Sequence, residues 1–302
     1  MTTAIVIIVA VLLDLWLGEP RQHHPLALFG RYAERIEARL IGVSDAGQRL
    51  RGVAAVLLAI LPWVVLSALL LFLPGVDLLV SVLLLYLAIG GSSLAQHGRA
   101  VAAALAEGNL DLARKRVGEI VSRETDTLDE EGVSRAAVES VLENGNDALF
   151  GTIFWFVLLG APGVVLFRLS NTLDAMWGYK SERYHVFGWA AARLDDLLGW
   201  LPARLTALAY LLVGDTVRGW RCWRQQGGQS DSPNAGVVMA SGAGALGVQL
   251  GGPAVYHGEL CEKPLLGEGV PPQGADIARA ISLVQRALLL WLVTILMMGI
   301  AL

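Results

Sequence analysis

The sequence predicts an all-α, polytopic integral membrane protein with about five to six transmembrane or re-entrant helices. Two observations carry the expectation. Hydrophobic residues make up 55% of the chain and charged residues 17%, with a mean hydropathy of +0.56. The apolar residues also gather in runs, at Ala4–Leu17, Val53–Leu73, Val76–Ala95, Leu149–Leu169, Leu201–Val213 and Leu283–Leu302. A helix needs roughly 20 mostly apolar residues to cross the hydrocarbon core, and the second, third and last runs meet that length unaided. No repeat, low-complexity tract or linker divides the 302 residues, so a single membrane-embedded domain, 1–302, is expected.

The first run, near 4–17, carries Asp14 and has no Lys or Arg before Arg21, so it reads as an uncleaved anchor rather than a secretory leader. Arg21, Arg31, Arg35, Arg39, Arg49 and Arg51 follow it, and the positive-inside rule then puts the N-terminus in the periplasm and residues 19–52 in the cytoplasm. Pro74-Gly75-Val76-Asp77 becomes an external turn. The segment 96–148, with Arg99, Arg114, Lys115, Arg116, Arg123 and Arg135, returns to the cytoplasm. Ala100–Val121 has helical periodicity with a break at Gly108-Asn109, then a polar turn Ser122–Glu131 and a second helix through about Glu143.

The run 149–169 contains Ala161-Pro162-Gly163, which kinks or breaks a helix. A spanning segment there would leave Arg168, Lys180, Arg183 and Arg193 outside, whereas a re-entrant hairpin removes that conflict. Residues 201–213 form a short span. Residues 227–275, rich in Gly, Pro and Ser without an apolar period, are expected as an irregular loop.

A net charge of −4 offers no basic face for nucleic acid. Cys222 and Cys261 are too few and too isolated for a disulfide framework or a zinc site. The loops are dense in charge, amide, Gly and Trp, more than membrane anchoring requires.

Three clusters can carry chemistry. Arg135, Glu139, Glu143 and Asp147 are each four apart, one stripe on a continuous helix. Like charges at that spacing destabilise a helix unless Mg²⁺ or a cationic group neutralises them. The alternative is a solvated face, or a helix that ends at Gly145. Ser122-Arg123-Glu124-Thr125-Asp126 supplies either helix caps or, through Arg123, a phosphate fork. Asn171-Thr172-Leu173-Asp174 with Lys180, Glu182, Arg183, Asp195 and Asp196 lies among Trp177, Tyr179, Tyr184, Trp189 and Trp200. This reads equally as an interfacial aromatic belt with pairing charges or as an anion site.

Two patterns mislead. Gly242-Ala-Gly244-Ala-Leu-Gly247 spells a dinucleotide fingerprint, but no strand precedes it, and small-residue helix packing is expected instead. No Walker A string is present, the pair His23-His24 before Pro25 is too lone for a metal site, and His97, His185 and His257 are scattered.

Longer strings resemble the adenosylcobinamide-phosphate synthase family of cobalamin biosynthesis. They are Leu13-Asp14, Gly18-Glu19-Pro20, His24-Pro25 and Gly30-Arg31, then Val121-Ser-Arg-Glu-Thr-Asp126, Glu139-Ser-Val-Leu-Glu-Asn144 and Asn171-Thr-Leu-Asp-Ala-Met176. Gly178-Tyr-Lys180, Phe187-Gly-Trp-Ala-Ala-Ala-Arg-Leu-Asp-Asp196, Ser232-Pro-Asn-Ala-Gly236, Gly244-Ala-Leu-Gly-Val-Gln-Leu-Gly-Gly252 and Tyr256 with Gly258-Glu259 follow in the family's order. The chain departs at Val237-Val238, where Trp-Pro is frequent, at Asp231, at Gly145-Asn146 and at Thr152.

The resemblance implies an ATP-dependent acid–amine ligase of the bacterial inner membrane. It would join adenosylcobyric acid to (R)-1-amino-2-propanol O-phosphate, with ATP and Mg²⁺ required and the corrinoid as substrate rather than cofactor. The residues expected in catalysis are Glu139, Glu143, Asp147 and Lys180, with Glu143 and Asp147 holding Mg²⁺. Arg123, Asp126, Asn144, Asn171, Asp174, Arg183, Asp195, Ser232, Asn234, His24 and Arg31 are expected to bind substrate or ATP. Expected partners are these substrates, membrane lipid and other membrane-associated enzymes of cobalamin biosynthesis, with no nucleic acid. A transporter or sensor of a corrinoid or other amphipathic metabolite, or a noncatalytic scaffold for corrinoid enzymes, is the alternative reading.

Overall fold

A computed structural model describes residues 1–20, 24–42, 47–179, 181, 183–256 and 259–301. Its elements run α1 (Thr2–Leu17), α2 (Pro25–Leu40), α3 (Gln48–Leu70), α4 (Asp77–Ala88), α5 (Gly91–Ala106), α6 (Leu110–Gly118) and α7 (Glu130–Gly145). A π-helical turn, Asn146–Phe150, leads into α8 (Gly151–Leu159), α9 (Ala161–Trp177), α10 (Trp189–Val213), α11 (Thr216–Gln226) and α12 (Ala235–Leu246). A hairpin of β1 (Gln249–Tyr256) and β2 (Glu259–Gly267) precedes α13 (Gly274–Ala301).

The protein is a polytopic helical membrane protein. Gln48–Leu70, Asp77–Ala106, Trp189–Val213 and Gly274–Ala301 are long and apolar enough to cross a bilayer, and Thr2–Leu17 and Ala235–Leu246 are shorter apolar helices. The run expected at 201–213 is longer than its apolar core suggests, because α10 also takes in the charged turn holding Arg193, Asp195 and Asp196. The run 149–169 is not one helix. It breaks at Gly160, whose positive φ of 65° suits glycine, and α8 and α9 pack on each other. Residues 227–275 are not irregular: they hold α12 and an antiparallel hairpin, which a loop rich in Gly and Pro conceals from any periodicity count.

One compact unit comprises residues 1–90, 151–199 and 298–302. Here α9 packs against α2, α3, α4 and α8, and α1 against α4. The core joins Phe29, Ala33 and Ile36 of α2 to Ala55, Val56, Ala59 and Ile60 of α3 and Leu169, Leu173 and Trp177 of α9. On the outer face of α3, Leu57, Leu58, Leu61 and Leu69 are each more than half exposed, an apolar stripe that suits acyl chains and not water.

The other unit comprises residues 91–150 and 200–297. Its centre is α7, which packs against α5, α6, α12 and β1. Gly244 of α12 lies so close to Gly219 and Cys222 of α11 that a Cβ would come within 2.8 Å of both. The glycines that mimic a dinucleotide motif therefore serve close helix packing, and Gly247 (φ 74°) is the left-handed cap that ends α12. In the hairpin, Gln249 pairs with Gly267 and Tyr256 with Glu259, with a bulge between Leu250 and Gly252.

Candidate active site

The cluster around α7 begins with that helix's own start. Asp129 caps it, its Oδ1 accepting from Gly132 N at 2.7 Å, and Glu130 and Glu131 occupy the first turn, where the helix dipole favours negative charge. Ser122, Arg123, Thr125 and Asp126 do not cap it. Asp126 is exposed in the preceding turn, while Arg123 reaches into the protein.

From Val133 to Leu142, α7 is buried on nearly every face except at Arg135, so its carboxylates need partners. Glu139 has them on both oxygens: Oε2 is ion-paired with Arg123 and Oε1 accepts the Gly251 N–H at 2.8 Å. Gly251 (φ 84°) sits at the hairpin bulge with its Cα against the Pro264 carbonyl, where a side chain has no room. Arg135 donates to the Gly251 carbonyl at 3.1 Å and pairs with Glu131. Glu139 thus ties Arg123 and the hairpin to α7.

The next turn is different. Glu143 is pushed up to about 7, first by burial and then by the neighbouring negative charge of Asp147, against the opposing influence of Lys263 and Arg123. The helix does not end at Gly145. It widens into the π turn, a device that re-aims side chains and recurs at functional sites. Buried Asn146 donates to Asp147 Oδ1 at 2.8 Å and accepts from Thr206 Oγ1 at 2.9 Å, fixing the carboxylate. Asn144 turns back to the Ser140 carbonyl and hydroxyl at 2.9 and 3.0 Å.

Ser232 and Asn234 also belong to this unit but serve the start of α12. Ser232 Oγ accepts from the N–H groups of Asn234 and Ala235, and Asn234 Oδ1 accepts from Arg204 at 3.0 Å.

The first unit holds the remaining expected residues. Glu37 of α2 is buried, and its Oε1 accepts Arg183 Nε and Nη2 at 3.1 and 2.6 Å and Tyr184 OH at 3.0 Å, while Oε2 accepts Trp177 Nε1 at 3.0 Å. His24 caps α2, its Nδ1 accepting from Leu26 N at 3.2 Å, and Nε2 lies 3.5 Å from Glu19. Asn171 and Asp174 are half-buried on α9, Asp195 is half-buried on α10, and Arg31 is exposed on α2. Lys180 lies outside the described residues.

The chain matches the family model described as CobD/Cbib protein over residues 7–284. The chain belongs to the CobD/Cbib family. A cobalamin biosynthesis protein CobD from Chromobacterium violaceum is 56% identical over 96% of this chain and 95% of its own. The protein of that name from Stutzerimonas stutzeri is also 56% identical, over 99% of both chains. The one from Mycobacterium tuberculosis is 40% identical over 93% and 91%. No solved structure matches the chain.

Set against the CobD/Cbib strings, the structure brings Arg123, Glu139, Glu143 and Asp147 together on one helix and its surroundings. It gives Ser232 and His24 capping contacts and pairs Asn234 with Arg204. Sequence reasoning missed Glu37, Lys263, Thr206 and Asn146. Asn146 is used locally to hold Asp147. Among the described residues no three His, Cys, Asp or Glu close into a protein-only metal cage. Glu143 and Asp147 still fit Mg²⁺, which usually takes one or two carboxylates and completes its shell with water and phosphate. Two carboxylates four residues apart, one pushed up to about 7 by burial and by the other's charge, are a donor set that a hard cation stabilises.

Proposed function

We propose that the protein is the ATP-dependent ligase of cobalamin biosynthesis that joins adenosylcobyric acid to (R)-1-amino-2-propanol O-phosphate, at the bacterial inner membrane. The place in cobalamin biosynthesis follows from the family. The observation that carries the chemistry is the Glu143–Asp147 pair, one turn beyond the anchored Arg123–Glu139 pair.

A carboxylate is a poor acyl donor because oxide must leave. Transfer of the γ-phosphoryl group of ATP to the corrinoid carboxylate makes an acyl phosphate and releases ADP. Attack by the amine then forms the amide and releases phosphate. Glu143 and Asp147 would hold Mg²⁺, which supplies positive charge at the triphosphate. Glu139 keeps Arg123 in one orientation, and Lys263 adds positive charge near Glu143. Lys180 is assigned to the transferring phosphoryl group because its compact charge can follow that group, and Arg183 to a fixed phosphate because its fork is planar. The test is mass spectrometry of products after purified protein is incubated with Mg-ATP, a corrinoid acid and candidate amino-alcohol phosphates. A product heavier than the acid by the amine less water, formed only with ATP, is expected. Its absence, with corrinoid flux in sealed vesicles instead, overturns the reading.

A further inference from the structure

Glu37 looks like any other charge on an amphipathic helix, yet it is buried. It accepts four hydrogen bonds, from Trp177, Tyr184 and two nitrogens of Arg183. The carboxylate is 7% exposed, while the Arg183 side chain it grips is 62% exposed. A guanidinium usually gains such freedom by waving in solvent. Here Nε and Nη2 are fixed to one oxygen, so the remaining edge of the fork is presented outward in a set direction.

The surroundings repeat the pattern. The Glu37 hydrogen bond is the main reason that Arg183 is held more firmly protonated than an ordinary Arg. At the far end of the same loop, Arg49 stacks on Trp189, 4.8 Å from the ring centroid. Trp177 and Phe187 pack edge to face, both fully buried, so the Trp177 indole that donates to Glu37 is itself held in the core. An exposed cation backed by a buried carboxylate leaves its outer edge open to an anion. A structural ion pair alone would not require the cation to stay open.

We propose that Glu37 is a positioning residue that aims the Arg183 fork at the phosphate monoester of the amine substrate. This rests on the ligase reading for the identity of the substrate, but the binding event can be read without turnover. The probe is O-phosphoethanolamine, titrated calorimetrically into the purified full-length protein in detergent. Wild-type protein should bind it, and Arg183→Gln should weaken binding about tenfold or more, the loss of one charge-assisted contact. Glu37→Gln should weaken it similarly with Arg183 intact, and Glu37→Asp should recover part of the affinity. Should Glu37→Gln fail to fold, Arg183→Lys tests the same point at an exposed side chain: it keeps the charge but cannot be gripped as a fork. Its binding should fall like that of Arg183→Gln.

No binding by the wild type, or wild-type affinity in Glu37→Gln or Arg183→Lys, overturns the proposal. A binding pattern as expected without any amide product would overturn the ligase reading and leave the phosphate site standing.

Discussion

Glu143→Gln separates the functional cost of this residue from its structural role. Its carboxyl ionises near 7 in the folded protein against 4.5 for an ordinary glutamate, with burial the first cause and Asp147 the second. A raised folded value means the native state holds its proton longer than the unfolded chain. The contribution to stability is therefore full below about pH 4.5 and is lost as pH rises through about 7. The size of that loss is on the order of 3 kcal/mol. Gln cannot ionise and keeps the size of the side chain. In metal-free protein, Glu143→Gln should thus melt at the same temperature as wild type near pH 4.5 and several degrees higher at pH 8. Ligation by the same variant should be abolished. Added Mg²⁺ should narrow the gap at pH 8 by stabilising the wild type only. The assay is thermal melting in one detergent at a series of pH values, with and without chelator, beside product formation. A melting difference that does not change with pH would refute the electrostatic account, and normal ligation would remove the metal role.

Arg123→Ala should strand Glu139 as a buried charge and cost about 3–5 kcal/mol, whereas the double change Arg123→Met with Glu139→Leu should recover much of it, measured as melting temperature and detergent-extracted yield. Lys180→Ala should lower kcat and kcat/KM together, the signature of an interaction made in the transition state, and unchanged steady-state constants would sink that assignment. Cysteines introduced near Arg39 and near Arg114 should be labelled only from the cytoplasmic side. A cysteine at position 181 should be labelled from that side too, because the loop carrying Arg183 is fastened to Glu37 of α2, and external labelling of it would exclude a re-entrant 149–169 segment.

The amino-acid sequence by itself determined the solvent of this protein and the positions of its long apolar helices, because the length of an apolar run is a local property that the bilayer thickness converts directly into a span. It also placed Glu139 and Glu143 one turn apart, since spacing of four on an α-helix needs no tertiary knowledge, whereas Asp147 is carried on the π turn. Four features were decided only by the tertiary structure. The π turn at Asn146–Phe150 depends on what packs against it, with Asn146 answered by Thr206. The hairpin 249–267 has no apolar alternation of its own, and it is held by α12 and α11 packing against it and by α7 against β1. Lys263 acts on Glu143 from a strand about 120 residues further along the chain. Glu37 and Glu34 share one amphipathic helix, yet only Glu37 is buried and only it meets Trp177, Arg183 and Tyr184 among the described residues. Periodicity reports which face of a helix is apolar. It cannot report which charge will be buried against a distant donor, because that depends on the partner's position and not on the helix's own pattern.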